Sequence, residues 1–434
     1  MTTTYDPADP AYVDEADARA ELTRVFDVCG GCRRCVDRCP SFPTLFELID
    51  RHGDRDAGRL TPAEQDRVVD GCFQCKLCHL ECPYASGRHE FDLDVPRLML
   101  RARSMQHANG HVPSRARMAT RVMARTDRVG ALAVATGPIA DRVVDAAPGS
   151  AVRRMVARLT GVSAVRLLPP FARQRFSTWF RTRPRISLTR GQGRVTVFPT
   201  CLVEYHDPDI GKDLVRVYER NGVECEVSEI GCCGAPWLHA GHVDRFSRIA
   251  RNNVAELAAR VRAGTDIVVP QPTCSYVLKR DYVDVVGGPD AALVAEHTFD
   301  AAEYLVDLHR GATTQLDTDF PGELPEVITY HAPCHLRAQD IGLRSRDLLR
   351  LTGARVDLVQ QCAGIDGMWG LRAGNEDLSV PIAEQLGEQI EQAGGAPIAG
   401  DCHLANTAIR EQTGRRALHP LQILARAYGI PDAP

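Results

Sequence analysis

The chain has 434 residues, 44% of them hydrophobic and 25% charged, with a formal net charge of −4. Such values suit globular domains with ample cores, about three of them by length. Its sixteen cysteines are too sparse for a disulfide scaffold and too tightly clustered to be incidental, so they point to metal in a reducing, cytoplasmic setting. Residues 1–17 are acidic and polar, without the basic and apolar regions of a signal peptide. No stretch has the apolar length to span a bilayer: the longest, Val129 to Ala140, is short and contains Gly137-Pro138.

In chain order, the first chemistry-bearing stretch is a motif written twice. Cys29, Cys32, Cys35 and Cys39 are followed by Pro40, and Cys72, Cys75, Cys78 and Cys82 by Pro83. Both runs read C-x2-C-x2-C-x3-C-P, the spacing that binds [4Fe–4S] clusters in bacterial ferredoxins. Three thiolates within seven residues can wrap one face of a cubane, while the fourth lies too far along to close the same cluster easily. In two-cluster ferredoxins it ligates the other cluster. The expected assignment is therefore Cys29, Cys32, Cys35 and Cys82 for cluster one, and Cys72, Cys75, Cys78 and Cys39 for cluster two. Zinc, the competing metal, usually takes two separated C-x2-C pairs and has no use for the terminal C-x3-C-P.

The insert between the runs reads as helical. Phe42, Leu45, Phe46 and Ile49 share one helix face, and Thr61-Pro62-Ala63-Glu64 is a capping box opening a helix that stops at Gly71. The segment 1–100 is thus expected to be a mostly helical two-cluster ferredoxin module, each cluster at the start of its own helix. Lys76 and His79 read as solvated neighbours of cluster two that tune its potential or meet a partner, not as ligands.

Residues 101–190 contain 18 arginines, no lysine and only Asp127, Asp141 and Asp145 as acids, a net +15 that leaves −19 for the rest. Two amphipathic helices are expected here. In the second, Val152, Met155, Val156 and Leu159 form an apolar stripe with Arg153, Arg154 and Arg158 facing elsewhere. From Phe171 to Phe180 aromatics alternate with arginines and run into Arg181, Arg183 and Arg185. This pattern suits an anionic membrane surface or equally a connector that packs on neighbouring domains. Nucleic acid is not expected as a partner, given the acidic remainder.

Beyond residue 190 strands and helices alternate, which implies parallel sheets. Strands at Arg194–Phe198, Val223–Val227 and Asp266–Pro270 precede Cys201, Cys232-Cys233 and Cys274. Strands at Val327–Tyr330, Ala354–Val359 and Ala396–Gly400 precede Cys334, Cys362 and Cys402. The order of elements repeats, so 191–312 and 313–434 read as a duplicated α/β unit with its cysteines at the carboxyl edge of each sheet, where such folds bind ligands. Overall the fold class is α+β and α/β multidomain. Cys201, Cys232, Cys233 and Cys274 can hold a further iron–sulfur cluster or zinc. Cys334, Cys362 and Cys402 make a degenerate second site, with Ala363 where the first repeat has Cys233 and with His335 or His403 as possible completing ligands. Cys225, alone inside a strand, reads as an inert core thiol.

With these motifs the chain resembles the iron–sulfur C subunits of anaerobic glycerol-3-phosphate dehydrogenases. They belong to a broader group sharing the cysteine-rich CCG domain, along with heterodisulfide reductase subunits, glycolate oxidase iron–sulfur subunits and lactate-utilisation proteins. Beside the two C-P runs, the resemblance rests on Arg175-Phe-Ser-Thr-Trp-Phe-Arg181, Asp209-Ile-Gly-Lys-Asp-Leu214, Cys232-Cys233-Gly-Ala-Pro236, Pro272-Thr-Cys-Ser-Tyr-Val-Leu278, Tyr330-His-Ala-Pro-Cys-His-Leu336 and Asp401-Cys402-His403. It implies an electron-transfer subunit, peripheral on the inner face of the cell membrane, accepting electrons from a flavin-containing dehydrogenase partner and passing them toward quinone. It also implies a non-cubane [4Fe–4S] cluster or zinc at the CCG cysteines. Family members usually carry paired cysteines at the position of Cys362-Ala363 and C-x2-C at 402–405, so both departures fall on the second site and argue against a standard five-cysteine cluster there. The chain has no GxGxxG opening a βαβ unit and no phosphate loop, so no catalytic residue is expected and flavin and substrate chemistry should lie in the partner. Two other readings remain: a thiol/disulfide reductase of the heterodisulfide type, or the iron–sulfur subunit of a glycolate or lactate oxidase or of a peroxide-reducing system.

Overall fold

Asp14 caps the first long helix, α1 (Glu15–Cys32), by accepting a bond from Asp17 N at 2.8 Å, a contribution of about 1 kcal/mol. Leu22, Val25 and Phe26 recur at helical spacing on its buried face. They pack against Phe42, Leu45, Phe46 and Ile49 of α2 (Ser41–Arg51). The approach is close: a Cβ on Gly30 would lie 2.9 Å from Ile49 Cδ1. α3 (Pro62–Asp70) has the expected capping box between Thr61 and Glu64 and ends at Gly71. A single-turn helix, α4 (Leu77–Leu80), and α5 (Val95–Ala108) complete this region. Arg101 of α5 is fully buried. It donates to Tyr12 O at 3.0 Å and Ala11 O at 2.9 Å, and pairs with Asp17.

The structure, a computed structural model, describes all residues except 1–2, 54–55, 138–141, 143, 145, 185–190, 312–314, 323, 366–367 and 432–434. It comprises two units, residues 1–120 with 234–248 and residues 121–233 with 249–434. The basic segment is therefore not a unit of its own but is divided between them. Arg185, Asp141 and Asp145 lie outside the described residues.

In the second unit β1 (Gly193–Val197), β2 (Val223–Val227), β3 (Asp266–Val269) and β4 (Thr298–Asp300) form a parallel sheet in the order β2-β1-β3-β4. β5 (Val327–His331), β6 (Arg355–Val359), β7 (Ile398–Gly400) and β8 (Ala417–Leu418) repeat it as β6-β5-β7-β8. The duplication and the parallel sense follow the sequence pattern. β4 and β8 were not expected, because segments of three and two residues carry no readable periodicity. Cys225 lies within β2, buried at 7% exposure in the core formed with the first sheet, and burial pushes its thiol up. Phe176 is wholly buried there as well. A Cβ on Gly211 would fall 2.7 Å from its ring, so two of the sequence signatures exist to fit one another.

The arginine-rich segment departs from its pattern in one helix and follows it in another. In the helix Ala151–Thr160 the apolar stripe faces outward: Met155 is 57% and Leu159 69% exposed, whereas Arg153 is 1% exposed. Arg153 turns inward because its guanidinium meets Ser163 O at 3.0 Å and Arg166 O at 2.7 Å, carbonyls that would otherwise be stranded. We expect Arg153→Ala to cost about 3 kcal/mol and Leu159→Ser less than about 0.5 kcal/mol, the reverse of what the stripe suggests, with denaturant midpoints as the measurement. In the helix Phe176–Thr182 the aromatics pack inward, and Arg183 lies 4.4 Å from the Phe180 ring centre while bonding to Glu219 at 3.1 Å. That stretch behaves as the packing connector. No helix among the described residues is long and apolar enough to cross a membrane.

Candidate metal centres

Cys29 and Cys32 lie in the last turn of α1, which ends at Arg33 with φ 54°. Cys39 comes just before α2, and the second run fills the stretch from α3 to just past α4. The expectation that each run opens a helix is thus corrected for the first run. Its apolar face continues from Leu22 and keeps the chain helical through both cysteines.

Two cavities lie side by side in this unit. The first, about 370 Å³ of space between atoms and partly open to solvent, is lined by Cys29, Cys32, Cys35, Cys82 and Cys78 among apolar side chains such as Phe46 and Leu93. The second, about 360 Å³, is lined by Cys39, Cys72, Cys75 and Cys78, with Gln74 and Lys76. Cys78, Phe42 and Val95 border both. Burial pushes the Cys29 thiol far up, reinforced by Cys35, Cys82 and Cys32. Burial and then Cys82 push Cys35 up to about 11. For Cys78, burial is followed by Cys39 and Cys72, so its strongest thiol neighbours belong to the second cavity. Buried thiols that oppose one another's ionisation become thiolates only when a cation supplies the missing charge, which is what a metal group does. The donor set and the cavities fit a pair of four-thiolate groups.

Lys76 is 4% exposed, which corrects its reading as a solvated neighbour. It bonds through Nζ to Gln74 Oε1 at 2.9 Å, and Gln74 N and Nε2 each lie 3.5 Å from Cys72 Sγ. Both residues hold left-handed backbone, φ 60° and 66°, at about 1–3 kcal/mol each. His79 is half-buried, 3.9 Å from Asp94.

In the second unit the sheet order places a topological switch between β1 and β3, and between β5 and β7, where open α/β sheets take ligands. Cys201 and Cys274 lie past β1 and β3, and Cys334 and Cys402 past β5 and β7. In the first repeat four thiols converge. Cys201 is held up first by its hydrogen bond with Cys232 and then by burial, and Cys274 likewise by Cys233. Thr200, a buried β-branched residue with φ 58°, sets Cys201 at this point. Asn253 Nδ2 holds Cys232 O at 2.9 Å and Tyr282 OH holds Cys233 O at 3.0 Å, supports that periodicity alone did not single out.

The second repeat carries its three cysteines at the same edge. Cys362 Sγ accepts from Gly364 N at 3.3 Å. His335 Nδ1 is 3.0 Å from Thr273 Oγ1, whereas the buried His403 Nε2 has no hydrogen-bond partner among the described residues. Residues beside Cys274 reach across to those beside Cys334 and Cys402: Gln339 Nε2 bonds to Ser275 Oγ at 2.9 Å and His403 N to Gln271 Oε1 at 3.2 Å. The two repeats thus meet along their cysteine-bearing edges. Among the described residues no group of three or more His, Cys, Asp or Glu side chains forms a set able to hold a single metal ion. A cubane makes a different demand, since each of its irons takes one thiolate and the sulfurs stay spread around it.

Comparison with known proteins agrees with this division. Residues 21–83 match the 4Fe-4S dicluster domain, and residues 195–279 and 328–409 each match the cysteine-rich CCG domain. The chain thus carries, in chain order, one match to a dicluster domain and two matches to the CCG domain. It is similar nearly end to end to the C subunit of anaerobic glycerol-3-phosphate dehydrogenase from Escherichia coli K12, 27% identical over 417 residues, which covers 93% of this chain and 98% of that one. Over shorter spans it is similar to the B subunit of the fumarate reductase (CoM/CoB) of Methanothermobacter marburgensis, 26% identical over 53% of this chain and 44% of that one. Lactate utilization protein A of Bacillus thuringiensis is 28% identical over 46% of this chain and 82% of its own length.

Proposed function

We propose that the chain is an iron–sulfur electron-transfer subunit, relaying electrons between a flavin-dependent dehydrogenase of the glycerol-3-phosphate type and the quinone pool. The observation that carries this reading is the pair of adjoining cavities, each ringed by thiols and separated by a wall of Cys78, Phe42 and Val95. Cys29, Cys32, Cys35 and Cys82 hold one [4Fe–4S] cluster, and Cys39, Cys72, Cys75 and Cys78 the other. Cys201, Cys232, Cys233 and Cys274 hold a further iron–sulfur group, the sulfur placement not suiting the single zinc ion that is the competing reading, and Cys334, Cys362 and Cys402 form an incomplete site. When bound, such groups supply one-electron transfer and nothing else. The residues of the chain exclude water, fix the sulfurs and tune them. The end-to-end similarity to the glycerol-3-phosphate dehydrogenase component favours glycerol 3-phosphate as the partner's substrate, while the partial similarity to lactate utilization protein A leaves lactate as the competing one.

Anaerobically purified chain is expected to contain about eight or more irons, the number two cubanes require, with reducible EPR signals. Native material containing zinc alone rejects the proposal. The exposed Val152, Met155 and Leu159 beside Arg154 and Arg158 support attachment to an anionic membrane surface. Flotation with anionic liposomes should be lost in a Met155→Ser, Leu159→Ser double variant and at high salt. Flotation that survives both removes the membrane part.

A further inference from the structure

We infer that Lys76 and Gln74 make the group held by Cys39, Cys72, Cys75 and Cys78 the easier of the two N-terminal groups to reduce, so that it is where an electron rests. The inference depends on the cluster assignment proposed above.

The two cysteine runs provide an internal comparison. Aligned on their cysteines, Gln74 stands where the first run has Gly31, and Lys76 where it has Arg33. At the first cavity the glycine offers no side-chain donor. Arg33 turns to Asp50 with its side chain 33% exposed, so its charge is already met and is screened by water. At the second cavity both positions are turned inward. Gln74 is 1% and Lys76 4% exposed, and both line the space that Cys72, Cys75 and Cys78 surround. Lys76 Nζ donates to Gln74 Oε1 at 2.9 Å, and the Gln74 amide spans Cys72 Sγ at 3.5 Å and Pro96 O at 3.3 Å. The chain of contacts runs from the lysine through the glutamine to a ligand sulfur.

A four-thiolate cubane gains one negative charge on reduction. A buried cation and N–H donors directed at sulfur stabilise that more negative form, and low polarity around them strengthens the effect. Apart from Arg38 and Ser41, the rest of the second cavity is sulfur and apolar carbon, and at 4% exposure Lys76 itself is little screened by water.

The test is an EPR-monitored redox titration of the full, anaerobically loaded chain, with the steps assigned by a Cys29→Ser variant and iron content measured in parallel. Gln74→Gly, which converts the second run to the first run's residue and suits the left-handed backbone, and Lys76→Met should each lower the more positive step. The expected change is about tenfold or more in the reduction equilibrium, about 59 mV for one electron, with the other step unmoved. Lys76→Arg should restore most of the wild-type value, which a merely structural role would not require. The inference is overturned if iron content is unchanged and neither step moves, or if the step that moves is the one Cys29→Ser abolishes. If Lys76→Met loses iron, Gln74→Gly decides alone. Wild-type chain lacking two reducible signals overturns the cluster assignment itself, and this inference with it.

Discussion

Cys82→Ser is expected to remove the same iron–sulfur signal as Cys29→Ser, and to leave intact the signal that Cys72→Ser removes. Each variant should lose about four irons per chain, one cubane's worth. The reason is spatial. Cys82 follows the second run in sequence, yet it lines the first cavity together with Cys29, Cys32 and Cys35, and it raises the thiol of Cys35 more than any other neighbouring group does. Cys39 ends the first run yet lines the second cavity, where it is the foremost thiol neighbour of Cys78. If Cys82→Ser instead shares its residual spectrum with Cys72→Ser, the crosswise wiring is wrong and each run closes its own cluster. The residual spectra decide the matter more cleanly than activity, because loss of either cluster breaks a relay.

The second large effect separates the two CCG sites. Cys274→Ser should abolish metal binding at the first site and lower electron transfer by more than about tenfold, the scale already set by losing a group that merely supports a metal ligand. Four thiols converge there, Cys233 and Cys274 buried, and Cys274 is hydrogen-bonded with Cys233. Cys362→Ser should change electron transfer little, because its repeat has Ala363 where the first has a second cysteine. A loss at Cys362 as large as that at Cys274, accompanied by loss of thiol or disulfide turnover, would shift the function toward a reductase acting at the second site. Metal content of the two variants, compared with activity, tells the outcomes apart.

Much of this architecture was legible beforehand where the signal is local. The capping box at Thr61 and Glu64, the helix face of Phe42, Leu45, Phe46 and Ile49, and the strands before Cys201, Cys232 and Cys274 all follow from spacing over a few residues. β4 and β8 escaped because so few residues have no period to read. The helix of residues 151–160 misled for a different reason. Periodicity says which side chains share a face, but the carbonyls of Ser163 and Arg166 decided that Arg153 turns inward and the apolar stripe outward. Lys76 followed the same logic: lysine is normally solvated, but this one is buried, bonded to Gln74 and lining the second cavity.

By itself the sequence determined the kind of ligand and its grouping, fifteen of the sixteen thiols set at cluster spacing or at strand ends, because ligand identity and short-range spacing are covalent properties of the chain. Only the tertiary structure decided which cysteine of one run lines the cavity of the other, which face of an amphipathic helix meets the interior and which lysine loses its water. Those outcomes depend on contacts between segments far apart in sequence, and such contacts leave no trace in local spacing.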